Sequence, residues 1–260
     1  MSTLQDYRVV IIIGEINGIS TAVNLDRLGI PYTVIDPQVD IGGTWIKNMY
    51  LEARVNTLGF WLLIMQLPTK TTEQLRANAI ISAVGLFSTV NLPDFNRIKD
   101  CKGHVLYTTL WDHLVNCGFK PTDYLLPVEY VGKNRVTLDQ TWKKDSARSY
   151  LGHTVPGYPS LYTLYGPKHQ PRGGRSLHSW SGIWGCYALS LITWMVKEGA
   201  RSVNVKQSVY ELYNREIDEA QRPLIWPDKG KGYKHGRQGV NMPWTIDEYH
   251  ARVVRLNLEG

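Results

Sequence analysis

Short runs rich in β-branched residues mark out the first part of this chain. Val9-Val10-Ile11-Ile12-Ile13 is apolar throughout and predicts a buried strand. After Gly14-Glu15-Ile16-Asn17-Gly18-Ile19, apolar and polar positions alternate over 20–28 with helical spacing, and Gly29 stops the helix. Residues 31–35 predict a second strand, with Asp36 at its end. A third strand is predicted over 79–84, before Gly85, and a last parallel strand over 161–165. A long helix is expected over 176–197, capped by Gly199, and an amphipathic helix over 209–222 on the spacing of Val209, Leu212, Tyr213 and Ile217.

These elements predict an α/β fold: an open, mainly parallel Rossmann-type sheet with helices on both faces, in truncated form. Strand, glycine turn, helix, strand and acid form a βαβ unit suited to a dinucleotide. A pyrophosphate would lie at Gly14 and Gly18, over the free N–H groups and positive dipole end of the helix. Asp36, 22 residues beyond Gly14, would accept hydrogen bonds from a ribose hydroxyl. The fingerprint G-x-G-x-x-G is incomplete. Read from Gly14, the middle glycine is missing, the loop is one residue short, and Glu15 brings negative charge to the phosphate position. The other reading of this stretch is an ordinary βαβ corner with no ligand.

At 260 residues, 43% hydrophobic and 20% charged, the chain can bury a sizeable core as one large or two small domains. A net charge of +6 without a Lys/Arg stripe argues against nucleic-acid binding. Cys101, Cys117 and Cys186 have neither zinc nor disulfide spacing, which fits a reducing compartment. The short polar N-terminus has no signal-peptide pattern, so a cytoplasmic location is expected. Two apolar stretches bear on membranes. Residues 58–67 are about half the ~20 needed to span, and 179–196 reads as a buried helix, so no stable membrane span is expected.

After the βαβ unit comes Ile41-Gly42-Gly43-Thr44-Trp45, then Asn48 and Tyr50. This order resembles the FAD domain of Baeyer–Villiger monooxygenases and their flavin-containing monooxygenase relatives, the 4-hydroxyacetophenone type among them. Further on, Tyr50 and Arg54 match a Y-P-G-x-R-x-D pattern whose acid is Asn56 here. Gly103, Trp111 and Asp112 match the family's linker fingerprint, with Cys101 for its phenylalanine and Tyr107 for its histidine. Gly118-Phe119-Lys120-Pro121-Thr122-Asp123, Gly166-Pro167-Lys168 and Gly173-Gly174-Arg175-Ser176 continue the resemblance.

The resemblance implies FAD as cofactor, held by Gly14, Gly18, Asp36, Gly42, Gly43, Thr44 and Trp45. It makes Asn56, Tyr107 and Trp111 the counterparts of residues important to activity, the last two in a linker that couples domain movement. The implied reaction is NADPH- and dioxygen-dependent oxygenation of a small-molecule ketone to an ester or lactone, or of a heteroatom. The family's NADPH domain would lie between His113 and Leu114, where this chain runs straight on. Residues 1–113 and 114–260 are thus expected to be two parts of one FAD-binding domain, and a partner reductase is one conceivable electron source. The alternative is a catalytically inactive flavin-binding remnant or truncated gene product.

Overall fold

The structure, a computed structural model, describes residues 7–13, 15–36, 75–84, 125, 128–144, 146–171, 177–223 and 241–254. Its centre is a parallel sheet of β1 (Val9–Ile12), β2 (Tyr32–Ile35), β3 (Ala79–Ser82) and β4 (Leu161–Thr163) in the order β2-β1-β3-β4. All four expected strands are present. β1 sits in the middle, pairing Val9 with Tyr32 on one side and with Ala79 on the other. It is the most apolar of the four, as a strand covered on both faces should be.

Helix α1 (Ile16–Leu28) makes the crossover from β1 to β2 and starts earlier than its periodicity suggests. It ends as expected: Gly29 takes φ +65°, and the N–H groups of Gly29 and Ile30 bond back to the Asp26 and Leu25 carbonyls. Then come α2 (Leu138–Lys144), α3 (Leu177–Glu198), α4 (Gln207–Gln221) and α5 (Ile246–Val253). α1 and α3 pack together against the sheet face that carries Ile11, Ile81 and Tyr162. There the Tyr162 hydroxyl meets Met195 Sδ at 3.5 Å. α3 is the stretch with near-membrane length, and Trp180, Trp184, Ala188, Ile192 and Met195 are fully buried. Among the described residues no helix is long and apolar enough to cross a membrane.

On the opposite face, the carboxyl ends of β3 and β4 are covered by residues 128–158. The Tyr130 hydroxyl donates to Ser82 Oγ at 2.6 Å, and Thr163 Oγ1 donates to the Gly152 carbonyl at 2.8 Å. The amphipathic helix α4 forms, but its buried face differs from the expected one. Tyr213, Asn214, Ile217 and Gln221 point inward, while Val209 is exposed and Leu212 is 61% exposed. Neighbouring chain, not hydrophobicity alone, selects the face.

A polar knot lies inside the core. Tyr249 of α5 places its hydroxyl 2.8 Å from the Leu151 carbonyl, 3.0 Å from His153 Nε2 and 2.8 Å from His169 Nε2. Both rings are wholly buried, His153 stacked on Tyr187 and His169 on Trp184. His153 Nδ1 faces the Thr163 carbonyl at 2.7 Å, so that nitrogen carries the hydrogen, and the Tyr249 hydroxyl donates to the Leu151 carbonyl. His169 Nε2 donates to the Leu151 carbonyl in the same way. Gly152 is required here: at φ +73°, a Cβ would stand 2.0 Å from His169 Nε2.

Burial pushes the His153 imidazole down from 6.5 to about 4, partly opposed by its bond to the Thr163 carbonyl. Burial, then the neighbouring His153, holds His169 well below 6.5. Both rings are therefore neutral in the fold at pH 6.5, whereas the unfolded chain protonates them as pH falls below that value. The contribution of His153 is level above pH 6.5 and becomes destabilising between 6.5 and about 4, and that of His169 falls likewise as pH drops below 6.5. Urea unfolding across this window is expected to show stability falling by up to about 1.4 kcal/mol per pH unit for each histidine. His153→Asn should flatten the slope, and an unchanged slope would show that the imidazole titrates normally.

Candidate functional site

The candidate site lies at the carboxyl ends of β1 and β2, where α1 begins. Ile13 leaves β1 with its N–H bonded to the Ile35 carbonyl at 2.7 Å, and Ala83 N–H bonds to the Ile12 carbonyl at 3.0 Å. These bonds hold three strand ends together. Glu15 is the N-cap of α1, with extended backbone (φ −79°, ψ −175°), and its side chain makes no capping bond to the helix. Its carbonyl accepts the Ile19 N–H at 2.8 Å. The N–H groups ahead of that bond have no partner within the helix, and with the helix dipole they lie at the carboxyl ends of the strands. Asp36 follows directly on β2 and is half-buried.

Two backbone facts change the alignment of the glycine fingerprint. A Cβ at Gly18 would come 2.3 Å from the Ile13 carbonyl oxygen and 3.3 Å from Ile11 Cγ2. That is the task of the third glycine of G-x-G-x-x-G, which lets helix and strand approach. Counting back, the first position falls on Ile13 and the second on Glu15. Ile13 has φ +74°, a left-handed conformation that is an outlier for a β-branched residue. In this alignment the loop has full length, correcting the expectation of a one-residue gap. It lacks two glycines: Ile13 and Glu15 stand in their places. The sequence held this signal in the spacing back from Gly18, which is obscured because Gly14 lies between them.

Of the other expected residues, Gly14, Gly42, Gly43, Thr44, Trp45, Asn56, Tyr107 and Trp111 lie outside the described residues. Lys168, in the loop after β4, is buried. Its ammonium is 3% exposed and 2.5 Å from Asp218 Oδ1, while Arg148 Nη2 is 2.8 Å from Asp218 Oδ2. Burial alone would raise the Asp218 carboxyl, but Lys168 and then Arg148 outweigh it and hold it below its ordinary value. This triad ties α4 to the loop after β4. Its members are 50 and 70 residues apart, too far for any local pattern to reveal.

A nucleotide's pyrophosphate and ribose fit part of this arrangement. The helix start, the close packing at Gly18 and the acid after β2 suit them; the carboxylate at Glu15 does not. Gly18→Ala is expected to lower stability by about 1–3 kcal/mol, since the methyl group meets backbone that cannot swing aside. Chemical unfolding measures this, and a neutral result would show that α1 can shift outward from β1.

No family model matches the chain. It is similar to an uncharacterized monooxygenase, y4iD, of Sinorhizobium fredii, at 34% identity over 152 residues, covering 56% of this chain and 23% of that protein. It is also similar to the FAD-binding monooxygenase moxY of Dothistroma septosporum, at 31% identity over 129 residues, covering 48% and 20%. The chain thus matches about a quarter or less of the length of these relatives. Among solved structures, oxidized steroid monooxygenase bound to NADP superposes with a TM-score of 0.78 at 11% identity, covering 95% of this chain and 97% of that one. OTEMO in complex with FAD and NADP gives 0.77 at 12%, covering 96% and 97%. Identity this low speaks for the fold alone. The chain is similar to FAD-binding monooxygenases over about half of its own length, and its fold is that of the solved steroid monooxygenase and OTEMO.

Proposed function

We propose that the chain is the FAD-holding part of a Baeyer–Villiger-type monooxygenase, acting on a small-molecule ketone or a heteroatom with NADPH and dioxygen. The observation that carries this reading is the βαβ unit, with the start of α1 and Asp36 brought to one crevice at the carboxyl ends of β1 and β2. The similarity to FAD-binding monooxygenases supports it. FAD, when bound, would supply the redox chemistry. In this proposal the first-turn N–H groups of α1 orient the pyrophosphate, and Asp36 accepts hydrogen bonds from the ribose. Gly42, Gly43, Thr44 and Trp45 lie against the cofactor, as the resemblance implies. Residues 1–113 and 114–260 form the two parts of the FAD domain.

A second reading, a catalytically inactive flavin-binding remnant, is favoured by Ile13 and Glu15 at two glycine places. It is also favoured by the direct run from His113 to Leu114, where the family carries its NADPH domain. Hydride transfer needs nicotinamide held against the flavin, and such positioning is worth about 7–11 kcal/mol of barrier. Both readings predict that FAD added to the purified chain binds weakly and shows a perturbed flavin spectrum. Absence of binding at high-micromolar FAD would overturn both. NADPH consumption with ketones, and product mass, then separates them: ester formation supports the oxygenase, and its absence with FAD bound supports the remnant.

A further inference from the structure

We propose that the apolar stretch 58–67 docks on the open face of the sheet, across Ile12, Ile35 and Ile80. This contact involves no cofactor and does not depend on the flavin reading. The strand register puts Val10, Ile12, Thr33, Ile35, Ile80 and Ser82 on this face, opposite the one that carries Ile11, Ile81 and Tyr162. The two faces are unequally covered. Ile11 and Ile81 are fully buried beneath α1 and α3, whereas Ile80 is 36% exposed and Ile35 42%. Ile12 and Thr33 beside them are half-buried. A parallel sheet is normally covered on both faces, because both carry apolar side chains.

The course of the chain says what covers the open face. α1 carries the chain from β1 outward to β2 over the Ile11 face. From β2 the chain returns past β1 to β3, so it moves across the sheet in the opposite direction. Crossovers between parallel strands are right-handed almost without exception, and a reversed direction with the same hand puts the connection on the other face. The next crossover, from β3 to β4, continues in that direction and obeys the rule. Within it, Tyr130 and Gly152 bond to Ser82 and Thr163 on the face of Ile80. The connection from β2 to β3 includes residues 37–74. It leaves where the Ile13 N–H binds the Ile35 carbonyl, and it arrives where Asn78 exchanges bonds with Arg8, just before β1. It must therefore travel the length of the strands. Its longest unbroken apolar run is Phe60, Trp61, Leu62, Leu63, Ile64 and Met65. Left in water, such a run would form a large apolar patch of a kind that monomers rarely expose. The open sheet face takes it up.

The test is a photocrosslink in the full chain. p-Benzoylphenylalanine replaces Ile80, and in a control it replaces Leu212, which is exposed on α4. After irradiation the adducts are mapped by peptide mass spectrometry. Isotopically light and heavy chains are mixed beforehand, to tell contacts within a chain from contacts between two copies. The probe at Ile80 is expected to capture residues 58–67 of its own chain about tenfold more often than the probe at Leu212 does, since capture requires side-chain contact. Should the Ile80 protein fail to fold, the same probe in place of Ile35 carries the test. Adducts that join light to heavy chains would mean that a second copy covers the face, and would overturn the proposal. Adducts within the chain that miss 58–67, equal capture from Leu212, or no adducts at all from the sheet position would overturn it as well.

Discussion

Helix α1 lies so close to β1 that one methyl group at Gly18 would run into the Ile13 carbonyl. This closeness brings the start of α1, with Glu15 at its N-cap, to the strand ends, where Asp36 follows β2. It also sets the depth at which α1 meets α3, where the nearest atom to a Cβ on Gly185 would be Thr21 Oγ1, at 3.7 Å. The layer of helices over the Ile11 face therefore depends on one residue without a side chain. The left-handed backbone at Ile13 belongs to the same constraint, because the chain must turn out of β1 sharply to enter a helix lying this near. Strain of that kind costs about 1–3 kcal/mol and persists only where the surrounding packing enforces it.

The second half of the chain is held by polar groups inside an apolar shell. Tyr249, His153 and His169 come from three separate segments and share one hydroxyl and the Leu151 carbonyl. Stacking on Tyr187 and Trp184 keeps water away from the rings, and that same exclusion keeps them neutral. The Arg148–Asp218–Lys168 triad is a second tie, between α4 and the loop after β4. Breaking a buried ion pair leaves an uncompensated charge, so such ties favour a single arrangement of their segments more than they add to stability. The loop they fix leads into α3, the largest helix of the core.

The crevice and the core thus follow different logic. The core joins buried polar groups from distant segments, as at Tyr249, His153 and His169. Ile13 and Gly18 keep backbone features of a nucleotide-binding corner, while Ile13 and Glu15 depart from its usual residues. Shape is preserved because it is demanded by the packing of α1 on β1. Ligand chemistry is under no such demand from the fold, so a carboxylate can stand where a glycine would serve a diphosphate.

The sequence by itself determined the elements: four strands, the βαβ order, the ends of α1 and α3 at glycines, and the acid after β2. Each depends on neighbours within a few residues, through β-branching, periodicity and the left-handed freedom of glycine at positions 29 and 199. Only the tertiary structure decided what these elements do together. It set the order β2-β1-β3-β4, which brings Ala79 beside Val9 across 70 residues of sequence. It turned Leu212 outward and Asn214 inward on α4, and it paired Lys168 with Asp218. It also revealed that the glycine fingerprint begins at Ile13, because the contact under Gly18 exists only once helix and strand have packed. The pairings and the buried face of α4 arise from contacts between segments far apart in the chain, which no local pattern of residues encodes; the spacing back from Gly18 was local, but only the contact beneath it shows which glycine to count from.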